Sequence, residues 1–369
     1  MSSSLSSHEK LAWLRLIRTE NVGNITFAAL LRQFGSAVAA LEAIPMLAAR
    51  GGRTKPLNVP SKASAEKELD ACVAAGVALI ASVEPDYPPL LRHIDDTPPL
   101  LFALGNVKTL QQRSVALVGS RNASGNGQRF AKTIAIDLGK KGFAVVSGLA
   151  RGIDTAAHEG SLTTGTIAVV AGGVDHIYPP ENKALYEKII SHGCVVSENP
   201  LGSVPQARHF PRRNRIISGI AEALVVVEAT LKSGSLITAR LAAEQGREVF
   251  SVPGSPLDPR CTGTNKLLKE GATLLESAAD VLAVLQQHPS LLKESTTPPL
   301  TGNIPQFEAA ELNAAREAII NLLTTTPFAI DFLIRMANLP PSLCHAVLLE
   351  LELAGRVERV TGNTVVRVY

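Results

Sequence analysis

The sequence predicts an α/β protein built on an extended, Rossmann-like, doubly wound and mostly parallel sheet, with a small helical domain before it and a winged-helix-like domain after it. From residue 114, short aliphatic runs alternate with segments of helical periodicity, which is typical of a parallel sheet covered on both faces. Glycine-rich loops follow these runs. The expected organisation is a helical domain with a connecting segment over 1–106, a sheet domain over 107–288, a linker over 289–306 and a final domain over 307–369.

Composition sets the outer limits. The 369 residues are 46% hydrophobic, which is enough for a large core and two or three domains. The net charge of +3 is mild, so a nucleic-acid contact would need locally concentrated charge. The four cysteines are widely spaced and lack metal-ligand patterns, which argues against a zinc site and fits reduced thiols. We expect a cytoplasmic protein without a metal, a cofactor or a membrane contact, because no run resembles a secretion signal or a membrane span.

The N-terminal segment shows helical spacing over 10–17, 25–34 and 37–44. The turn Val22-Gly23-Asn24 and the helices around it resemble a helix-hairpin-helix element or a SAM-like helical domain. Such a glycine turn can meet DNA phosphates. Little positive charge flanks this turn, so a packing role is favoured and a DNA contact stays open.

Six strands and five helices are expected in the sheet domain. In an open doubly wound sheet, ligands bind at the carboxyl ends of the strands, so the loops after the strands are the ones to examine. The predicted strands are Ser114–Val118, Ala144–Val146, Ile167–Ala171, Cys194–Ser197, Ala223–Val227 and Glu248–Val252. The predicted helices are Gly127–Leu138, Ile153–Leu162, Lys183–Ser191, Arg212–Ile220 and Leu236–Gln245.

These loops are rich in glycine, hydroxyl groups and cations. The longest basic stretch, residues 199–221, holds four arginines and no acidic residue. A solvated charged face fits this stretch poorly because Phe210 and Pro211 lie within it, so a contact with a polyanion is favoured. In the second loop, S-G-L-A-R-G-I-D, glycines precede a helix start, where backbone N–H groups attract anions.

The polyanion is expected to be single-stranded nucleic acid. No G-x-G-x-x-G loop and no G-x-x-x-x-G-K-[ST] loop occurs at the strand ends, which disfavours a dinucleotide or a P-loop nucleotide. A row of basic groups across several strand ends suits a chain of phosphates. Aromatic residues are only 4% of the chain, and Phe210 is the natural candidate for stacking on a base.

Catalytic groups are scarce in these loops. Asp154 and His158 are four residues apart on one predicted helix and could act as an acid and base pair. A structural role is favoured, in which Asp154 stabilises the helix N-terminus and His158 packs against or hydrogen-bonds to a neighbouring loop.

Six ordered motifs resemble the DNA-processing protein A family (DprA, also called Smf). They are G-S-R at 119–121, S-G-x-A-x-G-I-D-x-x-A-H at 147–158, G-G-V-D-x-I-Y-P at 172–179, S-E-N-P-L-G at 197–202, H-F-P-R-R-N-R-I-I-S-G at 209–219 and S-G-S-L-I-T-A at 233–239. The resemblance implies a homodimer that binds and protects single-stranded DNA and loads the RecA recombinase onto it during natural transformation. Carried onto this sequence, the DNA pocket comprises Gly119, Ser120, Arg121, Ser147, Gly148, Arg151, Arg208, Phe210, Arg213, Arg215, Lys232 and Gly234. Arg208 stands where many relatives have lysine, and the charge is kept.

A runner-up function comes from a second resemblance. The sheet is also similar to that of nucleotide-cleaving enzymes of the lysine-decarboxylase-like group, which carry P-G-G-x-G-T-x-x-E. Aligning G-S-x-x-T at 234–238 with that motif puts Thr238 where the catalytic carboxylate should be. Without that carboxylate, hydrolysis lacks its obvious acid and base group, so non-enzymatic DNA binding is favoured.

The C-terminal segment shows three helices, over 310–323, 329–336 and 342–354, and two strands, over 357–360 and 365–368, about a Gly362-Asn363 turn. Winged helices often read DNA with the third helix. Here that helix has no Lys or Arg but carries Glu350 and Glu352, which favours a protein partner or a regulatory contact. Weak duplex contact through Arg356, Arg359 and Arg367 stays open.

Overall fold

A computed structural model describes residues 4–287, 307–360 and 363–368 of the protein. These residues form two compact units. One unit holds the described chain from Lys67 to residue 287, and the other holds Leu5–Glu66 together with the described residues from 307 onward. The predicted linker over 289–306 and Gly362 of the predicted turn lie outside the described residues.

The first unit is organised around a sheet with nine strands in its described residues. The strand order is β1-β2-β6-β5-β4-β3-β7-β8-β9. The seven strands from β6 to β9 in this order pair in parallel, while β2 runs antiparallel to β6 and β1 antiparallel to β2. This confirms the expected mostly parallel sheet. The strands are β1 Ala78–Ala81, β2 Leu100–Gly105, β3 Ser114–Val118, β4 Ala144–Ser147, β5 Thr166–Val169, β6 Cys194–Ser197, β7 Ala223–Val226, β8 Glu248–Ser251 and β9 Thr273–Leu274.

The sheet begins earlier in the chain than the boundary expected near Asn106. Strand β2 pairs with β6, with Phe102 opposite Ser197, and β1 pairs with β2. Four consecutive residues of β2 are buried, so this strand supplies core surface. The proline-rich segment between β1 and β2 is fixed by the buried Tyr87, whose hydroxyl donates to the Pro98 carbonyl at 2.7 Å. The prolines interrupt the apolar pattern there, so the sequence does not reveal that β1 and β2 form an antiparallel edge of the sheet.

Helices cover both faces of this sheet. Along β3, Ala116 and Val118 belong to one core cluster, whereas Val115 and Leu117 belong to the other. This alternation is expected of a strand buried on both sides, because successive side chains point to opposite faces. The helices of this unit are α5 Gly125–Lys140, α6 Ile153–Ser161, α7 Lys183–His192, α8 His209–Ile220, α9 Gly234–Glu244, α10 Thr262–Lys269 and α11 Ala278–Gln287, and α4 Lys62–Ala74 crosses the unit boundary.

The second unit joins the two ends of the chain. It holds helices α1 Ser7–Ile17, α2 Asn24–Phe34, α3 Ala37–Arg50, α12 Ala309–Leu322, α13 Ile330–Ala337 and α14 Pro341–Leu353, and strands β10 Phe328–Ala329, β11 Val357–Val360 and β12 Thr364–Arg367. The three strands pair in the order β10-β12-β11, as in a winged helix. Among the described residues no single helix has the length and apolar character to cross a membrane, although the bent pairs α2 with α3 and α13 with α14 meet both criteria when combined.

The third helix of the winged helix, α14, is covered by the N-terminal helices. The side chain of Glu350 is only 3% exposed and lies 3.9 Å from the guanidinium of Arg50. Asn21 donates to the Leu353 carbonyl at 3.2 Å. Gly51 packs so closely that a Cβ there would collide with the Glu350 carbonyl. The C-terminal half of the helix with which many winged helices read DNA therefore packs against another part of the same chain, while Pro341, Ser342 and His345 near its start are exposed.

Candidate nucleic-acid interface

A cavity of about 280 Å³ opens at the carboxyl ends of the central strands. Its walls come from the loops after β3, β4 and β5, the segment that leads to α7, and the start of α8. This is the edge at which ligands of doubly wound sheets bind. The lining residues are Arg121, Gly148, Ala150, Arg151, Val170, Ala171, Gly172, His176, Tyr178, Pro179, Pro180, Glu181, Pro205, Phe210 and Arg213.

Arg213 lines the cavity and also connects the ends of two strands. Its side chain is only 6% exposed, and its guanidinium donates to the carbonyls of Gly148, at 2.7 Å, and Val169. A side chain on Gly148 would meet the guanidinium at 2.7 Å, so glycine is needed for this approach. Burial lowers the pKa of Arg213 to about 10, which leaves it charged at neutral pH.

Asp154 is a buried carboxylate in the first turn of α6, and the positive charge of Arg213 acts on it. It accepts hydrogen bonds from the backbone N–H groups of Gly148, at 3.1 Å, and Ala150, at 3.3 Å. Burial raises its pKa, and the field of Arg213 opposes that shift. Asp154 thus fixes the loop after β4 in a structural role, while the expected stabilisation of the helix N-terminus by its charge stays a prediction.

His158 is fully buried, one turn further along α6. Its Nδ1 lies 2.7 Å from the hydroxyl of Thr166 at the start of β5. Burial, reinforced by the charge of Arg213, lowers the pKa of the imidazole to about 3, so the ring is neutral at physiological pH. His158 does not line the cavity, and its packing role agrees with the favoured expectation.

Phe210 is half-buried in a group of cationic and aromatic side chains. The guanidinium carbons of Arg121 and Arg213 lie over its ring, 5.4 Å and 5.9 Å from the centroid. The ring of Tyr178 is tilted against it with the centroids 5.5 Å apart. Tyr178 remains 44% exposed, so this wall combines positive charge with accessible aromatic surface.

Glycines let the first two loops pack against each other. A Cβ on Gly119 would lie 2.6 Å from the side chain of Ile153, at the start of α6. Gly152 has a φ of +77°, and a Cβ there would collide with the Ser120 carbonyl. The same Ser120 carbonyl accepts from the Ile153 N–H at 3.2 Å. This packing sets the spacing between the loop of Arg121 and the loop of Arg151.

Five of the twelve residues predicted for the pocket line the cavity: Arg121, Gly148, Arg151, Phe210 and Arg213. The other seven lie outside its lining, for different reasons. Gly119 and Ser120 shape the first loop through the packing just described, and Ser147 is fully buried, with its hydroxyl donating to the Leu117 carbonyl at 2.6 Å. Arg208, Lys232 and Gly234 are exposed beyond the cavity.

Arg215 has a different environment from Arg213, although only one residue separates them. It is 7% exposed, and its guanidinium pairs with Asp96 at 3.0 Å and with Glu198. Side chains two positions apart on a helix point in nearly opposite directions. Arg215 thus attaches the segment before β2 to the loop after β6 and has no position in the cavity wall.

Sequence reasoning missed the contribution of the segment 176–181. His176, Tyr178 and Glu181 line the cavity, and Glu181 places a carboxylate 3.8 Å from the guanidinium of Arg151. The motif G-G-V-D-x-I-Y-P contains Tyr178, so an exposed aromatic residue after β5 was the available signal. Thr238, the position compared with a catalytic carboxylate, is buried within α9 and bonds to the Gly234 carbonyl at 3.5 Å.

Comparisons with known families agree with this architecture. Residues 78–286 match the family described as DNA recombination-mediator protein A. Residues 7–71 match the DprA-like N-terminal HHH domain, and residues 305–363 match the DprA winged helix domain. The first of these matches begins at β1, in agreement with the early start of the sheet.

Individual relatives lead to the same family. Protein Smf of Synechocystis sp. is 38% identical over 307 residues, covering 76% of this chain and 77% of the relative. The X-ray structure of DNA processing protein A from Streptococcus pneumoniae superposes with a TM-score of 0.62 at 36% identity, covering 76% of this chain and 98% of that one. DNA processing protein A from Helicobacter pylori, studied for its single-stranded DNA binding mode, gives a TM-score of 0.53 at 29% identity, covering 57% of this chain and 96% of that one. The chain belongs to the DNA recombination-mediator protein A family, whose members are also named DprA or Smf.

Proposed function

We propose that the protein binds single-stranded DNA through the cavity at the strand ends, protects the strand and loads a RecA-type recombinase onto it during natural transformation. The observation that carries this proposal is that Arg121, Arg151 and Arg213 line one cavity. They come from the loop after β3, the loop after β4 and helix α8. Three cations around a space of about 280 Å³ suit the backbone of a nucleic acid. The Helicobacter pylori relative, with its single-stranded DNA binding mode, supports the choice of strand.

The aromatic wall fits a flexible strand better than a rigid duplex. A recessed cavity admits a single strand, whose bases are free to leave the stack, whereas the bases of a duplex are paired and enclosed. Phe210 and Tyr178 offer ring surface beside Arg121. Because every base has a π-face, such a contact is tolerant of sequence. We therefore propose binding that depends weakly on base identity.

The exposed cations outside the cavity extend the proposed path of the strand. Arg208 immediately precedes α8, and Lys232 precedes α9. The start of α9 lies beside the middle of α8, since the side-chain amide of Asn214 donates to the Gly234 carbonyl at 3.4 Å. We propose that Arg208, Lys232 and Gly234 contact phosphates beyond the one held in the cavity. Homodimerisation and transfer of the strand to the recombinase are part of the same proposal and rest on family membership.

Fluorescence anisotropy with a labelled single strand tests the proposal. Affinity should fall steeply as salt rises, because bound cations displace condensed counterions. Arg121→Ala should weaken binding for every base sequence and reduce the salt slope by roughly 0.7 for each phosphate that the arginine no longer neutralises. Arg129→Ala, which removes an exposed arginine of α5 outside the cavity, is the matched control. A flat salt response of the unmodified protein would contradict the assignment.

Recombinase loading needs a separate measurement. Assembly of a RecA filament on a single strand coated with single-strand-binding protein should be accelerated by this protein and not by Arg121→Ala. Equal acceleration by both proteins would show that loading does not depend on the cavity.

The alternative function, nucleotide cleavage, is tested by incubating the protein with nucleoside monophosphates. Release of free base would support that alternative.

A further inference from the structure

Among the described residues that line the cavity, Glu181 has the one acidic side chain. It lies beside Arg151, a cation of the proposed DNA-binding site. The carboxylate of Glu181 lies 3.8 Å from the guanidinium of Arg151. Both side chains are well exposed, at 61% and 58%. A carboxylate in this position pairs with the positive charge of Arg151 and repels an approaching phosphate.

The backbone that carries Glu181 is fixed by the neighbouring residue. Its neighbour Asn182 is 7% exposed and donates through its side-chain amide to the Leu149 carbonyl at 2.9 Å. The same amide bonds to the hydroxyl of Thr155 at 3.0 Å. Leu149 belongs to the loop that carries Arg151. The segment with the carboxylate is therefore attached to the loop with the cation, which keeps the two charged side chains within reach of each other.

We propose that Glu181 is an internal counter-ion for Arg151 that a DNA phosphate displaces when the strand binds. This inference rests on the proposed function. In the free protein the carboxylate takes the place of the phosphate, and an exposed ion pair of this kind is weak enough to be exchanged. Binding then replaces one anion with another at Arg151, so the net gain is smaller than for an unpaired arginine. The carboxylate lowers affinity and lets the strand be released to the next protein.

The competing role for Glu181 is direct recognition of a base. A carboxylate accepts hydrogen bonds from the amino groups of bases, and in that case its removal would weaken binding. Displacement from Arg151 predicts the opposite sign. The effect of one substitution on affinity therefore decides between the two roles.

The test compares Glu181→Gln with Glu159→Gln in the full chain. Glu159 is an exposed residue of α6, 46% exposed and paired with Lys132 at 3.0 Å, and it lies outside the cavity lining. At low salt Glu181→Gln should bind a single-stranded oligonucleotide about two- to five-fold more tightly, the range expected for an exposed ion pair. The gain should shrink as salt screens the charges. Glu159→Gln should bind like the unmodified protein.

A third variant tests the route through Arg151. On an Arg151→Ala background, Glu181→Gln should give a smaller gain, because the cation that the carboxylate pairs with is absent and only its repulsion of the phosphate is relieved. Unchanged or weaker binding by Glu181→Gln, an equal gain in Glu159→Gln, or a full gain without Arg151 would each overturn the inference while leaving DNA binding by the cavity intact. Absence of single-strand binding by the unmodified protein would overturn the proposed function as well.

Discussion

Two arginines of the same cavity should differ in their effects on folding and binding. Arg213 is buried, and replacing it with methionine removes the donor for two buried carbonyl groups and the cation that opposes the charge of Asp154. Each buried acceptor left without a donor costs about 1 to 3 kcal/mol. Two carbonyl groups lose their donor, so Arg213→Met should lower the free energy of unfolding by about 2 to 6 kcal/mol, and loss of the positive charge that favours the charged form of Asp154 acts in the same direction. The guanidinium of the exposed Arg121 lies over the ring of Phe210 and remains in contact with solvent, so Arg121→Met should cost at most about 1 kcal/mol.

Urea denaturation followed by circular dichroism measures both variants, and anisotropy gives their affinity for a single strand. Arg121→Met should keep the unfolding midpoint and lose affinity, whereas Arg213→Met should lose stability first. Asp154→Asn on the Arg213→Met background should recover part of the stability, because the amide still accepts from the backbone and carries no charge. Equal stability of the two single variants would refute the role given to the buried guanidinium, and a further loss in the double variant would refute its coupling to Asp154.

Three further substitutions test the packing around the site and in the second unit. His158 keeps a neutral ring down to a pKa of about 3 in the folded protein, against 6.5 as its ordinary value, so the unfolded chain alone takes up a proton between these limits. Stability should therefore fall with decreasing pH by about 1.4 kcal/mol per unit in this window, and His158→Gln, measured by denaturation at several pH values, should lose that slope. Gly152→Ala, at a φ of +77°, should cost about 1 to 3 kcal/mol of stability, whereas Gly125→Ala, with open space around it, should not; equal unfolding midpoints would contradict the loop packing. Gly51→Ala should raise hydrogen exchange in α14 because it forces that helix away, and Gly23→Ala, which meets no neighbour, should leave exchange unchanged.

The alternation of aliphatic runs and helical segments was enough to predict the sheet and the edge that binds ligand. Each of the six predicted strands overlaps an observed one, from Ser114–Val118 to Glu248–Ser251. Buried parallel strands leave a strong local signal because both faces must be apolar. Strand β9 was missed because two residues are too short to show a period. Strand β2 was missed as a sheet element because the surrounding prolines interrupt the pattern.

The roles of individual arginines were beyond local reasoning. The sequence grouped Arg213 and Arg215 in one basic cluster, and their separation by two positions on a helix sends them to different environments. Whether a buried arginine contacts a ligand or pairs internally depends on carboxylates and carbonyls from distant segments. Here Asp96 and Glu198 pair with one arginine, and the Gly148 carbonyl accepts from the other.

Ordered motifs and short-range periodicity were sufficient to identify the family, the parallel sheet and the loops that meet at its carboxyl edge, because each of these features is recorded in neighbouring residues. The folded chain was needed to show which cations face the cavity, that Glu181 lies opposite Arg151, and that the N-terminal helices cover α14. These facts depend on contacts between residues far apart in the chain. Such contacts arise from the closure of the whole fold, and no local pattern of residues records them.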